Sequence, residues 1–499
     1  MPKRTSVFPL TLPSRGAKLS ASRWLYEALR GEILEGRLRP RARLPATREL
    51  ADQYGLSRGT VVSAFEQLSS EGYVEGTIGS GTYVSKVLPE ELLQVRSRAQ
   101  PAPPPKQRRI SDYARRVTLF PGFELRPSRA FRPNVPALTV FPMTLWAQLA
   151  ARRVRRASAP LLLGCDPVGY LPLRAAIADY LNASRGVKCA PEQVVIVSGV
   201  QEALDLTARV LLNPGDRVCM EDPGYLGARL VFSAAGAKIY GAPVDEGGMV
   251  LRDASLRGAC LVYVTPGHQF PLGITMTLAR RLALLEWARK SGALIFEDDY
   301  DSEYRYSGRP LPALQGLDRD GQVLFAGSFS KVLFPSLRLA YMVVPSDLVS
   351  VFAAAKSITN RHPPLLEQSV LCDFITAGHF SRHLRRMREI YAERLAALLE
   401  CARERLDGLL DMSSVEAGLQ TVGWLSAGIN AESASAAAAQ RGVEVVPVGR
   451  YSRRPMSREG LQLGFAAVGV AEIRRGVAEL AIALETVAAH ASSTSFRPG

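Results

Sequence analysis

A chain of 499 residues with 47% hydrophobic and 22% charged residues has room for two or more globular domains. It holds no apolar run near the roughly 18 residues that a membrane-spanning helix needs. The net charge of +15 is uneven: residues 1–85 carry 12 Lys/Arg against 8 Asp/Glu, and residues 86–118 carry 8 against 3. The first 118 residues therefore hold +9 of the excess, which points to a polyanion partner at that end.

Residues 1–20 carry Lys3, Arg4, Arg15 and Lys18, with Pro9 and Pro13 interrupting the apolar part. This reads as a flexible basic arm and not as a signal peptide. Apolar spacing predicts a helix over 20–35, with Leu25, Leu29 and Ile33 on one face and Gly36 as its stop. A second helix opens in Leu44-Pro45-Ala46-Thr47-Arg48-Glu49-Leu50-Ala51 and ends near Tyr54-Gly55. Ser57 caps a third, with Val61, Phe65 and Leu68 inward. Glu71-Gly72-Tyr73-Val74 leads into Gly79-Ser80-Gly81-Thr82-Tyr83-Val84, two short strands joined by glycines that form a wing. Helix, glycine turn, helix and wing make a DNA-binding unit over residues 1–85.

The third helix is expected in the major groove, with Ser57, Arg58, Gly59 and Thr60 at the base edges. Arg58 can read guanine or hold a phosphate, and Gly59 permits close approach. Arg48, Ser80 and Thr82 suit phosphate or minor-groove contact. The alternative, a three-helix protein-binding module, explains neither the wing nor the charge. Residues 86–118, with Pro101, Pro103, Pro104 and Pro105 beside Lys106, Arg108 and Arg109, read as a semi-extended basic linker. The second domain follows over 119–499.

From 130 to 390, strands alternate with helices, so a mainly parallel α/β sheet is expected. Val194-Val195-Ile196-Val197-Ser198-Gly199-Val200-Gln201 is a β-branched strand that opens into a helix. The backbone N–H groups of Gly199, Val200 and Gln201 at that helix start suit a phosphate. Leu294-Ile295-Phe296-Glu297-Asp298-Asp299-Tyr300 is a buried strand with acids at its carboxyl end, where ligands sit in open α/β sheets. Gly327-Ser328-Phe329-Ser330-Lys331 follows another short apolar strand. No carboxylate lies within seven residues of Lys331, so its amine is easily desolvated, and a neutral amine can attack an aldehyde. Ser328, Ser330 and Arg338 suit a phosphate dianion. A phosphorylated aldehyde points to pyridoxal 5'-phosphate (PLP), with Asp298 keeping the pyridine nitrogen protonated and Tyr300 reaching the phenolic oxygen. Asp299 is the runner-up for Asp298. Each stretch alone has a plainer reading: a surface lysine in a Ser-rich loop, a solvated acidic loop, a structural turn. Together they describe one site.

These motifs resemble the MocR-type regulators, in which a GntR-like winged helix-turn-helix precedes a domain similar to fold-type I aminotransferases. The likeness runs from about Leu19 to Ile482. It implies α/β fold-type I topology with a small C-terminal α+β subdomain from about Arg394, and a homodimer with cofactor sites at the subunit interface. It also implies a DNA-binding transcriptional regulator that senses a small amine, an amino acid or PLP itself through an aldimine at Lys331. The rivals are a working aminotransferase with a DNA-binding appendage, and a DNA-binding protein that has lost PLP. By resemblance, Tyr225 in Asp222-Pro223-Gly224-Tyr225 stacks on the pyridine ring, and His268 helps Tyr300 at the phenolic oxygen. Active aminotransferases commonly place asparagine where this chain has Phe270. An arginine of the C-terminal subdomain binds an effector carboxylate, with Arg450 the candidate and Arg453 and Arg454 its rivals. Gln462 and Gln420 stand where arginine and histidine are usual, and Ala46 stands where a capping serine is usual.

Six scattered cysteines without a CxxC pair fit a reducing cytoplasm, buried thiols and no zinc. His379 and His383 lie among arginines with no glutamate after the first, so a structural role is expected and no metal site.

Overall fold

A computed structural model describes residues 12–13, 19–77, 81–88, 108–120, 128–251, 253–307, 312–412 and 415–494. The chain divides into two compact units, Met1–Arg109 and Ile110–Gly499. Ser80 and linker residues 89–107 lie outside the described residues.

In the first unit the expected helices form as α1 (Ala21–Leu34), α2 (Thr47–Tyr54) and α3 (Arg58–Ser70). Leu25, Leu29, Ile33, Leu50, Val61 and Leu68 are almost wholly buried in one core. This is the outcome their helical spacing demands, because each helix has one apolar stripe to cover. Gly55 ends α2 in the left-handed conformation, φ 62°, which only glycine adopts at no steric cost. Ala46 offers α2 no side-chain cap. The Glu49 carboxylate instead accepts from the Ala46 backbone N–H at 3.0 Å, half of a capping box. Strands β1 (Val74–Thr77) and β2 (Gly81–Val84) pair antiparallel, with Val74 opposite Val84.

The second unit is built on an eight-stranded sheet. Its strands are β3 (Val194–Val197), β4 (Arg217–Asp222), β5 (Lys238–Asp245), β6 (Gly248–Met249), β7 (Ala259–Val264), β8 (Leu294–Asp299), β9 (Val323–Ser328) and β10 (Ala340–Val343). Their order is β3-β10-β9-β8-β7-β4-β5-β6. The neighbours β9-β8-β7-β4-β5 are parallel, and β10 runs antiparallel to β3 and β9. β3, β7 and β9 are almost wholly apolar and covered on both faces, as the strands of a sheet flanked by helices must be. A second, antiparallel sheet has the order β11 (Leu410–Met412), β12 (Gln420–Leu425), β14 (Gly460–Gly464), β13 (Val446–Pro447).

Three expectations need correction. Asp112–Arg116, placed in the linker, is a short helix of the second unit, and Arg116 donates to the Ala234 carbonyl at 3.0 Å. Ser111 caps it, and Asp112 and Arg115 form an ion pair across its one turn. The small subdomain does not begin at Arg394. A single helix runs through that point from His379 to Arg405, because its apolar stripe (Phe380, Leu384, Met387, Tyr391, Leu395, Leu398) continues without a breaker. Finally, the thiols are free but not all buried, and Cys260 is exposed.

Candidate functional site

The carboxyl ends of β3, β8 and β9 gather most of the predicted residues. β9 ends at Ser328, whose hydroxyl accepts from the Ser330 N–H at 3.2 Å and so starts the short helical turn that carries Lys331. Desolvation lowers the Lys331 amine from its usual value to about 8, against the opposing pull of Asp301 and Asp298. The amine donates to the Asn134 carbonyl at 2.7 Å. Two further groups brace this turn at the Val332 carbonyl. Tyr304 Oη donates to it at 3.2 Å, and His383 Nε2 lies 2.9 Å from it. Burial holds the His383 imidazole below its ordinary pKa, so it stays neutral and Nε2–H is the donor. His383 therefore braces the turn that carries Lys331. Among the described residues, no group of three His, Cys, Asp or Glu side chains is placed to hold a metal ion.

β8 presents three acids in succession, and the structure gives each a different environment. Glu297 accepts from the Leu314 and Gln315 N–H groups, both at 2.8 Å. Asp299 forms a buried ion pair with Arg185, at 2.7 Å. Asp298 accepts from the Tyr263 hydroxyl at 2.7 Å through Oδ2, while its buried Oδ1 has no partner. Burial pushes the Asp298 carboxyl up to about 7.

Tyr300 turns its hydroxyl to His268 Nδ1 at 3.0 Å, and the same nitrogen lies 2.9 Å from Asp301. His268 Nε2 is buried and unpartnered. A side chain at Gly418 would sit 2.1 Å from the imidazole, so only glycine allows this packing. On the other side, Gly199 precedes the helix Val200–Leu211, and the Arg338 guanidinium lies against it, 3.2 Å from where a Cβ would stand. Gln201 donates to the Tyr225 hydroxyl at 2.9 Å. Phe270 packs edge-on against Tyr225, Tyr300 and Tyr451, so an apolar ring occupies the middle of the cluster.

Arg450 is not brought to this cluster. It is exposed and pairs with Glu432, 18 residues earlier in the chain. Arg453 donates to the Ile239 carbonyl, and Arg454 is exposed.

In the first unit, the Ser57 hydroxyl accepts from the Thr60 N–H at 3.1 Å and meets the Thr60 hydroxyl at 2.8 Å. Arg58, Gly59 and Arg48 are exposed, and Thr82 is half-buried on β2. Sequence reasoning missed Arg43, which bridges to Tyr83 and packs its guanidinium over Gly81 of the wing. It also missed Tyr263, Asn134 and Asp301. Tyr263 was legible as the one hydroxyl in the apolar run of β7. The β7–β8 register sets it beside Phe296, on the face that Asp298 shares.

Comparison with known proteins decides the family. Residues 21–84 match the bacterial regulatory proteins of the gntR family, and residues 137–480 match aminotransferase class I and II. The chain is 42% identical over 467 residues to the probable rhizopine catabolism regulatory protein MocR of Rhizobium meliloti, covering 93% of this chain and 94% of that one. It belongs to the MocR-type regulators. A second member, the HTH-type pyridoxine biosynthesis transcriptional regulator PdxR of Corynebacterium glutamicum, is 31% identical, covering 92% of this chain and 95% of that one. Among solved structures, LysN, an alpha-aminoadipate aminotransferase of Thermus thermophilus complexed with N-(5'-phosphopyridoxyl)-L-leucine, is similar with a TM-score of 0.67 and 30% identity. The likeness covers 72% of this chain and 92% of that one. As a MocR-type regulator the chain is a transcriptional regulator that joins a DNA-binding domain to an aminotransferase-like one, and no helix among its described residues is long and apolar enough to cross a membrane.

The lowered Lys331 pKa is directly measurable. In competitive labelling with acetic anhydride, Lys331 should reach half its full reactivity near pH 8, while exposed lysines continue to gain reactivity towards pH 10.5. A Lys331 profile that follows the exposed lysines would show that the amine is not desolvated.

Proposed function

We propose that this regulator holds pyridoxal 5'-phosphate at Lys331 and that its affinity for operator DNA responds to a small amine or amino acid, or to the cofactor itself. One observation carries the reading. A desolvated amine at the end of β9 stands with a buried carboxylate oxygen at the end of β8, Asp298 Oδ1, that has no partner. The remaining side chains fit the same group. Gly199, Val200 and Gln201 offer a helix start, and Ser328, Ser330 and Arg338 add hydroxyls and a cation for the phosphate. Tyr225 suits the ring face, and Tyr300 with His268 behind it suits the phenolic oxygen. When bound, the cofactor supplies an aldehyde that amines can reach and a ring that accepts electrons.

The chain's own residues do the rest. Asp298, whose Oδ2 accepts from Tyr263 and whose carboxyl burial pushes up to about 7, would use its free Oδ1 to keep a ring nitrogen protonated. Asn134 and the braces on Val332 fix where the Lys331 amine sits. Phe270 gives the phenolic oxygen no hydrogen bond, which leaves that oxygen to Tyr300 and favours regulation over turnover. The name of the pyridoxine-biosynthesis relative and the phosphopyridoxyl group in the LysN structure support the same cofactor.

We also read the protein as a cytoplasmic homodimer. Leu162, Leu163 and Ile358 are exposed, and Leu163 and Ser357 line one surface hollow, an apolar area that a second copy would cover. On the DNA side, we assign base reading to Ser57, Arg58 and Thr60, and backbone contact to Arg48, Ser80 and Thr82.

Three experiments test these readings. Borohydride should fix the cofactor to a peptide that contains residue 331, and Lys331→Ala should abolish this; label on another lysine in that variant overturns the assignment. In the same assay Asp298→Asn should weaken cofactor binding at least about tenfold, the worth of one charged hydrogen bond. Asp299→Asn should instead cost about 3–5 kcal/mol of fold stability by leaving Arg185 buried without its partner. Gel-shift titrations should show Arg58→Ala losing about 1–3 kcal/mol with relaxed preference at one base. Arg48→Ala should weaken all sequences alike and lower the salt slope by about one. Sedimentation should find a wild-type dimer that Leu163→Glu shifts towards monomer, and an unaffected dimer would place the interface elsewhere.

A further inference from the structure

Residues 110–120 open the second unit, directly after Arg109, the last residue of the first. They bury little: Ile110, Tyr113 and Val117 are exposed by nearly half, and Leu119 by 89%. Two contacts fix this segment to the two ends of one helix, Leu226–Ala235. At its C-terminal end the Arg116 guanidinium donates to the Ala234 carbonyl at 3.0 Å and lies over Gly236, 3.3 Å from where a Cβ would stand. The last turn of a helix has carbonyls without intrahelical partners and the negative end of the dipole, so a cation is favoured there. At the other end Phe120 packs on Tyr225, the residue just before the helix, with ring centroids 6.4 Å apart and the planes at 55°.

Tyr225 is the residue assigned above to the face of the cofactor ring, and it is boxed in. Gln201 donates to its hydroxyl at 2.9 Å, Phe270 packs edge-on at 5.6 Å, and a side chain at Gly227 would stand 2.5 Å from its ring. A group that stacks on Tyr225 therefore presses on a ring that Phe120 flanks. The segment behind Phe120 is open to water and lightly held, which is the condition for local undocking at small cost. A small change in the hold at Phe120 then shifts the docked fraction of the whole segment. Its release would add eleven residues of free chain next to the first unit, up to about 36 Å when fully extended.

We propose that Phe120 is a positioning residue for Tyr225, and that residues 110–120 form a strap which the loaded cofactor site holds down and the empty site releases, so that the state of the site reaches the chain leading to the DNA-binding unit. The inference rests on the reading that Lys331 holds the cofactor, and the test separates the two. Full-length protein, stripped of cofactor, is titrated with pyridoxal 5'-phosphate. Binding is read from the cofactor absorbance, the strap from hydrogen exchange over residues 110–120, and coupling from the affinity for operator DNA with and without the cofactor. In the wild type the cofactor should slow exchange over 110–120 at least threefold. Phe120→Ala should weaken the cofactor about three- to tenfold, the worth of one aromatic pair, because coupling is reciprocal, and Phe120→Tyr should restore it. Arg116→Ala, at the far end of the helix, should leave the cofactor trapped on Lys331 by borohydride, abolish the slowing, and shrink the cofactor's effect on DNA affinity at least threefold. Exchange over 110–120 that ignores a cofactor trapped on Lys331 overturns the inference and leaves the cofactor reading standing. So does a DNA affinity that the cofactor changes equally in wild type and Arg116→Ala, or in neither. Failure to trap any cofactor on residue 331 overturns that reading, and the inference with it.

Discussion

Exclusion of water from the carboxyl ends of β8 and β9 is the constraint on which the second unit depends. It lowers the Lys331 amine to about 8 and raises buried carboxyls, Asp298 and Glu297 among them, to about 7, so that near neutrality these groups are poised between charge states. Such a place is costly to build unless the other buried acids find partners. Glu297 has two backbone N–H groups, and Asp299 and Glu221 each place one oxygen, on Arg185 and on Thr265. Asp298 Oδ1 and His268 Nε2 are among the buried polar atoms that keep no partner. A parallel sheet suits the task because its strand ends and helix starts converge on one edge, where backbone donors and side-chain charges can be arranged without exposing the core.

The division of labour between the units follows from their composition. The first unit spends its apolar residues on a small helical core and leaves Arg48 and Arg58 in water, as a protein that meets a charged polymer must. The second buries a small set of charged groups, Asp298, Asp299 and Asp301 among them, near one amine. On the proposed reading, a change at that amine would alter DNA binding only by favouring one arrangement of the protein over another, since coupling between sites is a difference of affinities.

Much of this was legible in the chain. Helices α1 to α3 followed from apolar spacing and a serine cap, and β8, β9 and Lys331 followed from apolar runs that end in polar residues. What sequence could not show was partnership. Asp298 and Asp299 are neighbours with the same side chain, and only the three-dimensional position of Arg185, 114 residues away, tells the structural acid from the free one. Arg450 looked suitable because no local pattern reveals that Glu432 lies beside it. The helix His379–Arg405 ran through an expected boundary because a long uninterrupted stripe carries no mark of which domain it serves. The arginine-rich start of that helix had no chemistry in sequence; in the fold Arg388 holds the Glu303 carbonyl and His383 holds Val332.

That last contact makes the helix a lever. At 1.5 Å per residue its 27 residues span about 40 Å. Near one end His383 grips the turn that carries Lys331, midway Tyr391 grips the Ala137 N–H, and further on Arg394 grips the Ala466 carbonyl just past β14. A rod pinned at three points cannot absorb a movement locally. If the lysine turn shifts, either a pin breaks or the end of β14 moves in step, so the lysine turn and the small sheet are geared to each other by a single stiff element.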